Sequence, residues 1–447
     1  MERLEIDDPR PSRRKTMLND MRRASMAPVV EAQGGKAECQ GISRWEAWSN
    51  MVLSLIGGLV CFLPSCMSDA GYLMSPPLLL VAGLVIIRTG YLICGACSLA
   101  EDMTGARLTG YEELAREVGM VKILAVSKNT VLVGNTILFQ MFLRDSLAGM
   151  WPGGVDAAPK RMIYWLLLTP FFCAVALLRD LTELSRWAFI GLIGMTIELI
   201  GLFACCIRAC FQDGSPSHTS FPEGDWRGQL GMTLSVFVFA FSVMALVPSV
   251  RSQLKHPEEM PLAFRDAIIF TLVLYELMMA LGYYAFGNEV NENVMIDILE
   301  RFPVFGIVPA VGLILNVSLS VPLVLYCMMA AFEETGSDAI RTKFTWPNIA
   351  VRILIVLILA FMGAAIPGLL PFAGVMSSVF CVGNNVWFPI LFYHRLRQRA
   401  GREIPSLYLW MDIAIVGLGV LVLIYGLSGS IEGLLAAMPG AQWISSA

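Results

Sequence analysis

Eleven times along this chain an apolar run recurs that is long enough to cross a bilayer, and nothing else in the sequence limits the fold as strongly. A spanning helix needs roughly 20 mainly apolar residues, and only a helix or a closed barrel pairs all its backbone groups within hydrocarbon. The runs lie at 48–67, 77–99, 122–150, 162–178, 186–208, 229–250, 266–286, 304–331, 349–366, 370–393 and 407–427. Continuous apolar runs exclude a β-barrel, whose strands alternate. Only 15% of the 447 residues are charged, where soluble domains carry about a quarter. The expected class is therefore an all-α integral membrane protein with eleven transmembrane helices, a multi-pass protein embedded in a lipid bilayer. The first run follows a 44-residue polar tail, so it does not read as a cleavable signal peptide.

Lys and Arg favour cytosolic loops, and here they alternate. Nine fall in residues 1–44, and further groups follow runs 2, 4, 6, 8 and 10, ending with Arg395, Arg397, Arg399 and Arg402. The intervening loops are poorer, and 428–447 has none. The bias predicts a cytosolic N-terminus, a membrane domain over 45–430 and a short non-cytosolic tail at 431–447. The mixed charge, Pro and Gly of the tail 1–44 predict disorder. Its "RRKT" (13–16) and "RRAS" (22–25) read either as basophilic kinase sites or as a basic anchor to anionic lipid.

The first run, "NMVLSLIGGLVCFLP" (50–64), has Gly57-Gly58 in its middle and Pro64 beyond them. Both residue types weaken a helix. One reading is a small-residue surface that packs against another helix. The other is a real interruption, which at membrane depth survives only where backbone is buried in protein or lines a cavity. Run 6 carries a counterpart, "VFVFAFSVMALVP" (236–248). There Ser242 can divert backbone bonding, and Pro248 follows it by six residues as Pro64 follows Gly58.

Arg88, Glu198 and Glu276 each fall near the middle of a run, where ionisable groups are costly and usually face the bundle interior. Glu198 and Glu276 are candidate proton carriers, with Arg88 as the charge that tunes one of them. The alternative is a structural ion pair that sets helix register. Run 3 adds Lys128, Asn129, Asn135 and Gln140, with Asn135 near mid-depth. Lys128 is expected to snorkel, and Arg144-Asp145 to form an interfacial pair. Nothing points to catalysis: there is no nucleotide loop and no HExxH, and none of the three His sits at the centre of a run. The "CGAC" of 94–97 reads as small apolar packing rather than a metal site. No metal, cofactor or nucleic-acid partner is expected.

Five motifs in order over about residues 45–395 resemble the amino acid/auxin permeases. They are the first run itself, "TGYEELAREVG" (109–119), "VFVFAFSVMALVPSVRSQLKHPEEMP" (236–261), "LGYYAFGNEVNENVMIDI" (281–298) and "AAIPGLLPFAGVMSSVF" (364–380). The resemblance implies a carrier of amino acids or related solutes, usually proton-coupled. It also implies a LeuT-type 5+5 inverted repeat over 45–208 and 229–394, with 407–427 appended. Helices 1, 2, 6 and 7 would rock against 3, 4, 8 and 9. In such folds broken helices meet near the midplane, and a half-helix N-terminus suits an anionic group. The expected substrate contacts are then backbone around Gly57, Gly58 and Leu59, the Ser54 hydroxyl, Asn135, and Phe239, Phe241 and Ser242.

Three positions depart from the family pattern. Leu59 and Phe62 put bulk where relatives keep small residues, and Leu53 replaces the Asn of the sodium-coupled branch. A proton is thus the expected coupling ion, although Ser318 and Ser320 could offer oxygens to sodium. Lost transport would leave an amino acid sensor signalling through the tail, which is the alternative function. The expected location is the plasma membrane or a vacuole-like organelle. The sequence names no protein partner.

Overall fold

The computed structural model describes residues 41–153, 159–177, 181–212, 216–222, 224–335 and 345–438. The disorder expected for the tail and its two kinase-like motifs fall outside these residues, apart from 41–44. From Ile42 onward the chain forms one unit, and the regular structure of its described residues is helical apart from a single bridge between Ile42 and Leu254.

Its helices are α1 (Arg44–Leu55), α2 (Leu63–Ala70), α3 (Ser75–Thr104), α4 (Tyr111–Val118), α5 (Val121–Gly149), α6 (160–176), α7 (Leu181–Cys210), α8 (Trp226–Ala240), α9 (Val247–Gln253), α10 (Met260–Phe286), α11 (Val294–Arg301), α12 (Ile307–Thr335), α13 (Trp346–Ala365), α14 (Leu369–Arg399) and α15 (Ser406–Ala436). Among the described residues nine helices are long and apolar enough to cross a membrane, or ten if the bent pair α1–α2 is one crossing. The run expected at 162–178 is the exception to eleven: α6 is helical but short. The last helix reaches Ala436, past the boundary at 430 expected for a tail.

Both expected interruptions are present. α1 ends at Leu55, Ile56 and Gly57 are extended, a 3₁₀ turn covers Gly58–Phe62, and α2 leaves at 47° to α1. The two readings of the glycine pair divide between its members. Gly57 sits in the break, and a Cβ there would meet nothing within 4 Å. Gly58 is a packing contact: a Cβ there would lie 3.2 Å from Leu313 and 3.4 Å from Val317 on α12. The second break follows Ala240, with Phe241–Val243 non-helical before a short 3₁₀ turn at Met244–Leu246 and α9. Pro64 and Pro248 occupy the second positions of α2 and α9, within the first turn, where a missing N–H costs nothing.

α7 and α12 form a tightly packed pair. A Cβ on Gly312 would come within 2.5 Å of the Glu198 amide nitrogen and 2.7 Å of the Gly194 carbonyl, and one on Gly201 within 2.7 Å of Pro309. Small residues let two helix backbones approach where no water drives them together. α15 lies at the periphery, with long apolar side chains such as Leu407, Trp410 and Ile424 exposed.

Polar ties close both ends of the bundle. At the basic end Ile42 exchanges backbone bonds with Gln253 (2.9 Å) and Lys255 (3.1 Å). There Arg251, buried, donates to Glu101 at 2.7 Å, and Arg107 donates to the Leu254 carbonyl at 2.7 Å. At the far end the amides of Tyr72 and Leu73 donate to Thr219 and Ser220 at 3.1 and 3.2 Å. Glu292 accepts from the first two amides of α14, Leu369 at 2.5 Å and Leu370 at 3.1 Å. Gly368, just before them, has φ +76°, a left-handed geometry that glycine adopts without strain.

Candidate functional site

The first break is walled by three other helices. Phe142 of α5 and Leu313 and Val317 of α12 lie against Gly58, and Phe62 stacks on Phe142 with ring centroids 4.6 Å apart. Phe62 therefore packs into the α5 contact, almost fully buried, and Leu59 keeps partial exposure next to the break. From α7, Glu198 reaches the same turn. It is 1% exposed, accepts from the Asn316 side-chain amide of α12 at 2.9 Å, and lies 3.9 Å from the Cys61 thiol in the 3₁₀ turn. A lone carboxyl at this depth is held by two neutral donors, with no cation bonded to it among the described residues.

Asn135 lies on the same face of α5 as Phe142. It sits seven residues before Phe142, so two turns of α5 carry both onto one face. Its side-chain oxygen is buried and unpartnered among the described residues. Buried acceptors are normally satisfied, so an unpartnered one on this face of α5 is an available hydrogen-bonding atom.

The second break is joined to the first through α10. The Tyr275 hydroxyl donates to the Leu55 carbonyl at 2.6 Å, and the Ala240 carbonyl lies 3.4 Å from the same oxygen. The buried ring of Phe241 packs against Tyr275 at 5.5 Å between centroids. Phe239 is buried, and Ser242, half-buried, neighbours Cys381 of α14. α14 itself contains π-helical stretches at Ser377–Cys381 and Gly383–Trp387, and such distortions often occur at functional sites.

Other candidates lie elsewhere. Arg88 meets neither Glu198 nor Glu276: its guanidinium pairs with Asp412 of α15 at 2.9 Å and lies over the Tyr408 ring, and Asp412 also bonds His394 of α14 at 2.8 Å. The expected network of three charges is thus not formed. Asp412, buried near the start of a peripheral helix, satisfies the arginine instead. Glu276 is half-buried and bonds no described residue. Ser54 is exposed, and its hydroxyl donates back to the Asn50 carbonyl at 2.8 Å. Ser320 likewise donates to Asn316 at 2.8 Å within its own helix, and Ser318 is half-buried. Lys128 pairs with Glu112, and Arg144 grips Asp145 through both carboxylate oxygens, at 2.6 and 3.0 Å.

Sequence reasoning missed Cys61, Asn316 and Tyr275. The first two are ordinary apolar-helix residues until packing sets them against Glu198. Tyr275 stands beside Glu276, and a charge at mid-run draws the eye from its neighbour.

Comparison with known proteins identifies the family. The family model described as transmembrane amino acid transporter protein matches residues 40–432. The vacuolar amino acid transporter 3 of Saccharomyces cerevisiae is 22% identical over 395 residues, covering 84% of this chain and 54% of that protein. The human vesicular inhibitory amino acid transporter is 23% identical over 437 residues, covering 90% and 79%. The vacuolar amino acid transporter 3 of Schizosaccharomyces pombe is 20% identical over 358 residues, covering 77% and 52%. The chain thus spans about half the length of these two yeast relatives. With a family match across most of its length, and interrupted helices packed as a multi-pass membrane bundle, the chain belongs to the amino acid/auxin permease family of transmembrane amino acid transporters.

Proposed function

We propose that this protein carries an amino acid across an organellar membrane by alternating access, with the substrate held between the two helix breaks and a proton carried on Glu198. The placement of Glu198 carries this reading. It is a buried carboxyl in the tightly packed α7–α12 pair, and it touches Cys61 in the interrupted helix. A proton that binds or leaves there changes the charge beside the segment that must move. Intramembrane carboxyls with few partners serve such relays in pumps and carriers. The family supports an amino acid as substrate, and the names of the vacuolar and vesicular relatives support an organelle.

In this reading the free amides after Gly57 bind the carboxylate and Asn135 accepts from the ammonium. Leu59 narrows the pocket, and Phe239, Phe241 and Ser242 close it from the second break. In this reading the short α6 still counts as a crossing: α1–α2, α3, α5, α6 and α7 supply the first five, α8–α9, α10, α12, α13 and α14 the second five, and α15 is appended. The N-terminus faces the cytosol, as the basic loops imply. Glu276 is the second carboxyl to test, and a proton is favoured over sodium because Leu53 offers no side-chain oxygen.

Uptake of labelled amino acids into reconstituted vesicles tests this. A pH gradient should drive accumulation, and Glu198→Gln should lower gradient-driven uptake at least about tenfold while exchange of substrate at equal pH persists. Gradient-driven uptake that survives in Glu198→Gln and falls in Glu276→Gln would move the proton to Glu276. Binding without accumulation in the native protein would replace transport with sensing.

A further inference from the structure

The two breaks are over 180 residues apart in sequence, yet one hydroxyl sits between their exposed carbonyls. In a continuous helix the carbonyl of Leu55 would accept from the amide of Leu59, and that of Ala240 from the amide of Met244. Both helices stop before those bonds form. The Tyr275 hydroxyl stands 2.6 Å from the first oxygen and 3.4 Å from the second. Tyr275 is fully buried, and its ring is packed by Phe241, the first residue of the second break. An unsatisfied carbonyl in a low-dielectric interior is expensive, so a single donor shared by two of them is a strong local constraint.

We propose that Tyr275 is a positioning residue that ties the interrupted helices α1 and α8 to each other and so presets the distance between the two halves of the substrate site. It touches no substrate. It acts by keeping the ends of α1 and α8 in one register, so that the binding-competent arrangement is already populated when substrate arrives. Loss of the tie divides the population among looser arrangements, and apparent affinity falls in proportion to the competent fraction. The maximal rate has no such dependence once substrate saturates the site. The kinetic part of this inference rests on the transport reading. The structural part does not.

The test uses Tyr275→Phe, which keeps the ring and removes only the hydroxyl. Tyr283→Phe is the control, since it deletes a hydroxyl from the same helix, bonded there to the Thr219 amide at 2.8 Å and away from both breaks. In reconstituted vesicles Tyr275→Phe should raise KM about five- to tenfold, with the maximal rate within about twofold of the native protein. Tyr283→Phe should leave KM unchanged. Hydrogen exchange in detergent supplies the second arm. Tyr275→Phe should speed exchange at the amides of Val60 and Leu246, one in each break, and Tyr283→Phe at neither. Faster exchange at one break only, or at neither, overturns the tie. A fall in maximal rate at constant KM overturns the positioning role. Absence of uptake by the native protein would sink the transport reading, and the exchange arm would still decide the tie.

Discussion

At the scale of single residues, what decides a charge's role is its partner, and partners come from packing. Arg88 and Glu198 read alike in the sequence, each one polar group inside an apolar run. Packing gives Arg88 a carboxylate on α15, with His394 on the same carboxylate, and gives Glu198 only an amide and a thiol. The first is an ion pair, the second a carboxyl with no cation bonded to it among the described residues. The depth of each group was legible from run length. The partner of Arg88 was not, because Asp412 is 324 residues away and stands near the start of a helix whose neighbours the sequence does not specify. This separation has a measurable consequence. Asp412→Asn leaves a largely buried guanidinium without its counter-charge, which costs about 3 kcal/mol when one partner of a buried pair is removed. The thermal midpoint in detergent should drop clearly, and gradient coupling in the protein that remains folded should persist. Lost coupling at normal stability would return Arg88 to the proton path.

At the scale of helices, glycine marks two different things. Both the interruption near Gly57 and its counterpart near Ser242 were readable, because Gly, Ser and Pro have local effects on the backbone. The division of labour between Gly57 and Gly58 was not, since it depends on Leu313 and Val317 of a distant helix. Nor was the close approach of α7 and α12 evident, because a glycine in an apolar run is equally compatible with lipid. Gly312 tests the difference. A methyl there meets backbone atoms of Glu198 and Gly194, which cannot rotate away as a side chain would. Gly312→Ala should therefore separate the helices at a cost of about 1–3 kcal/mol and disturb the Asn316–Glu198 bond four residues on. Gly417→Ala on α15 meets nothing within 4 Å and should be neutral or slightly stabilising. Heating followed by size-exclusion chromatography checks both, and equal loss in the two variants would show that the α7–α12 contact tolerates bulk.

At the scale of the whole molecule, both ends are tied shut around the breaks, and the ties differ in chemistry. The basic end is held by arginines, Arg251 on Glu101 and Arg107 on the Leu254 carbonyl. The far end is held by a carboxyl, Glu292, capping α14. Burial lifts the Glu292 carboxyl above its ordinary value, and the amides of Leu370 and Leu369 pull the other way without cancelling the rise. Asp145 adds to the rise, Arg144 opposes it, and Asp69 carries a further charge toward the same carboxyl. The sign follows from linkage. Between the ordinary and the raised value the folded state holds a proton that the unfolded state has released, so the folded state gains stability at low pH and loses it as pH rises through the raised value. The Glu292 contribution to folded-state stability should thus be largest in acid and fall toward neutrality, because acid relieves the burial of its charge. Thermal midpoints scanned between about pH 4 and pH 8 should fall with rising pH in the native protein, and Glu292→Gln, which carries no charge at any pH, should flatten the part of that slope above 4.5. An identical slope in Glu292→Gln would assign the dependence to other carboxyls.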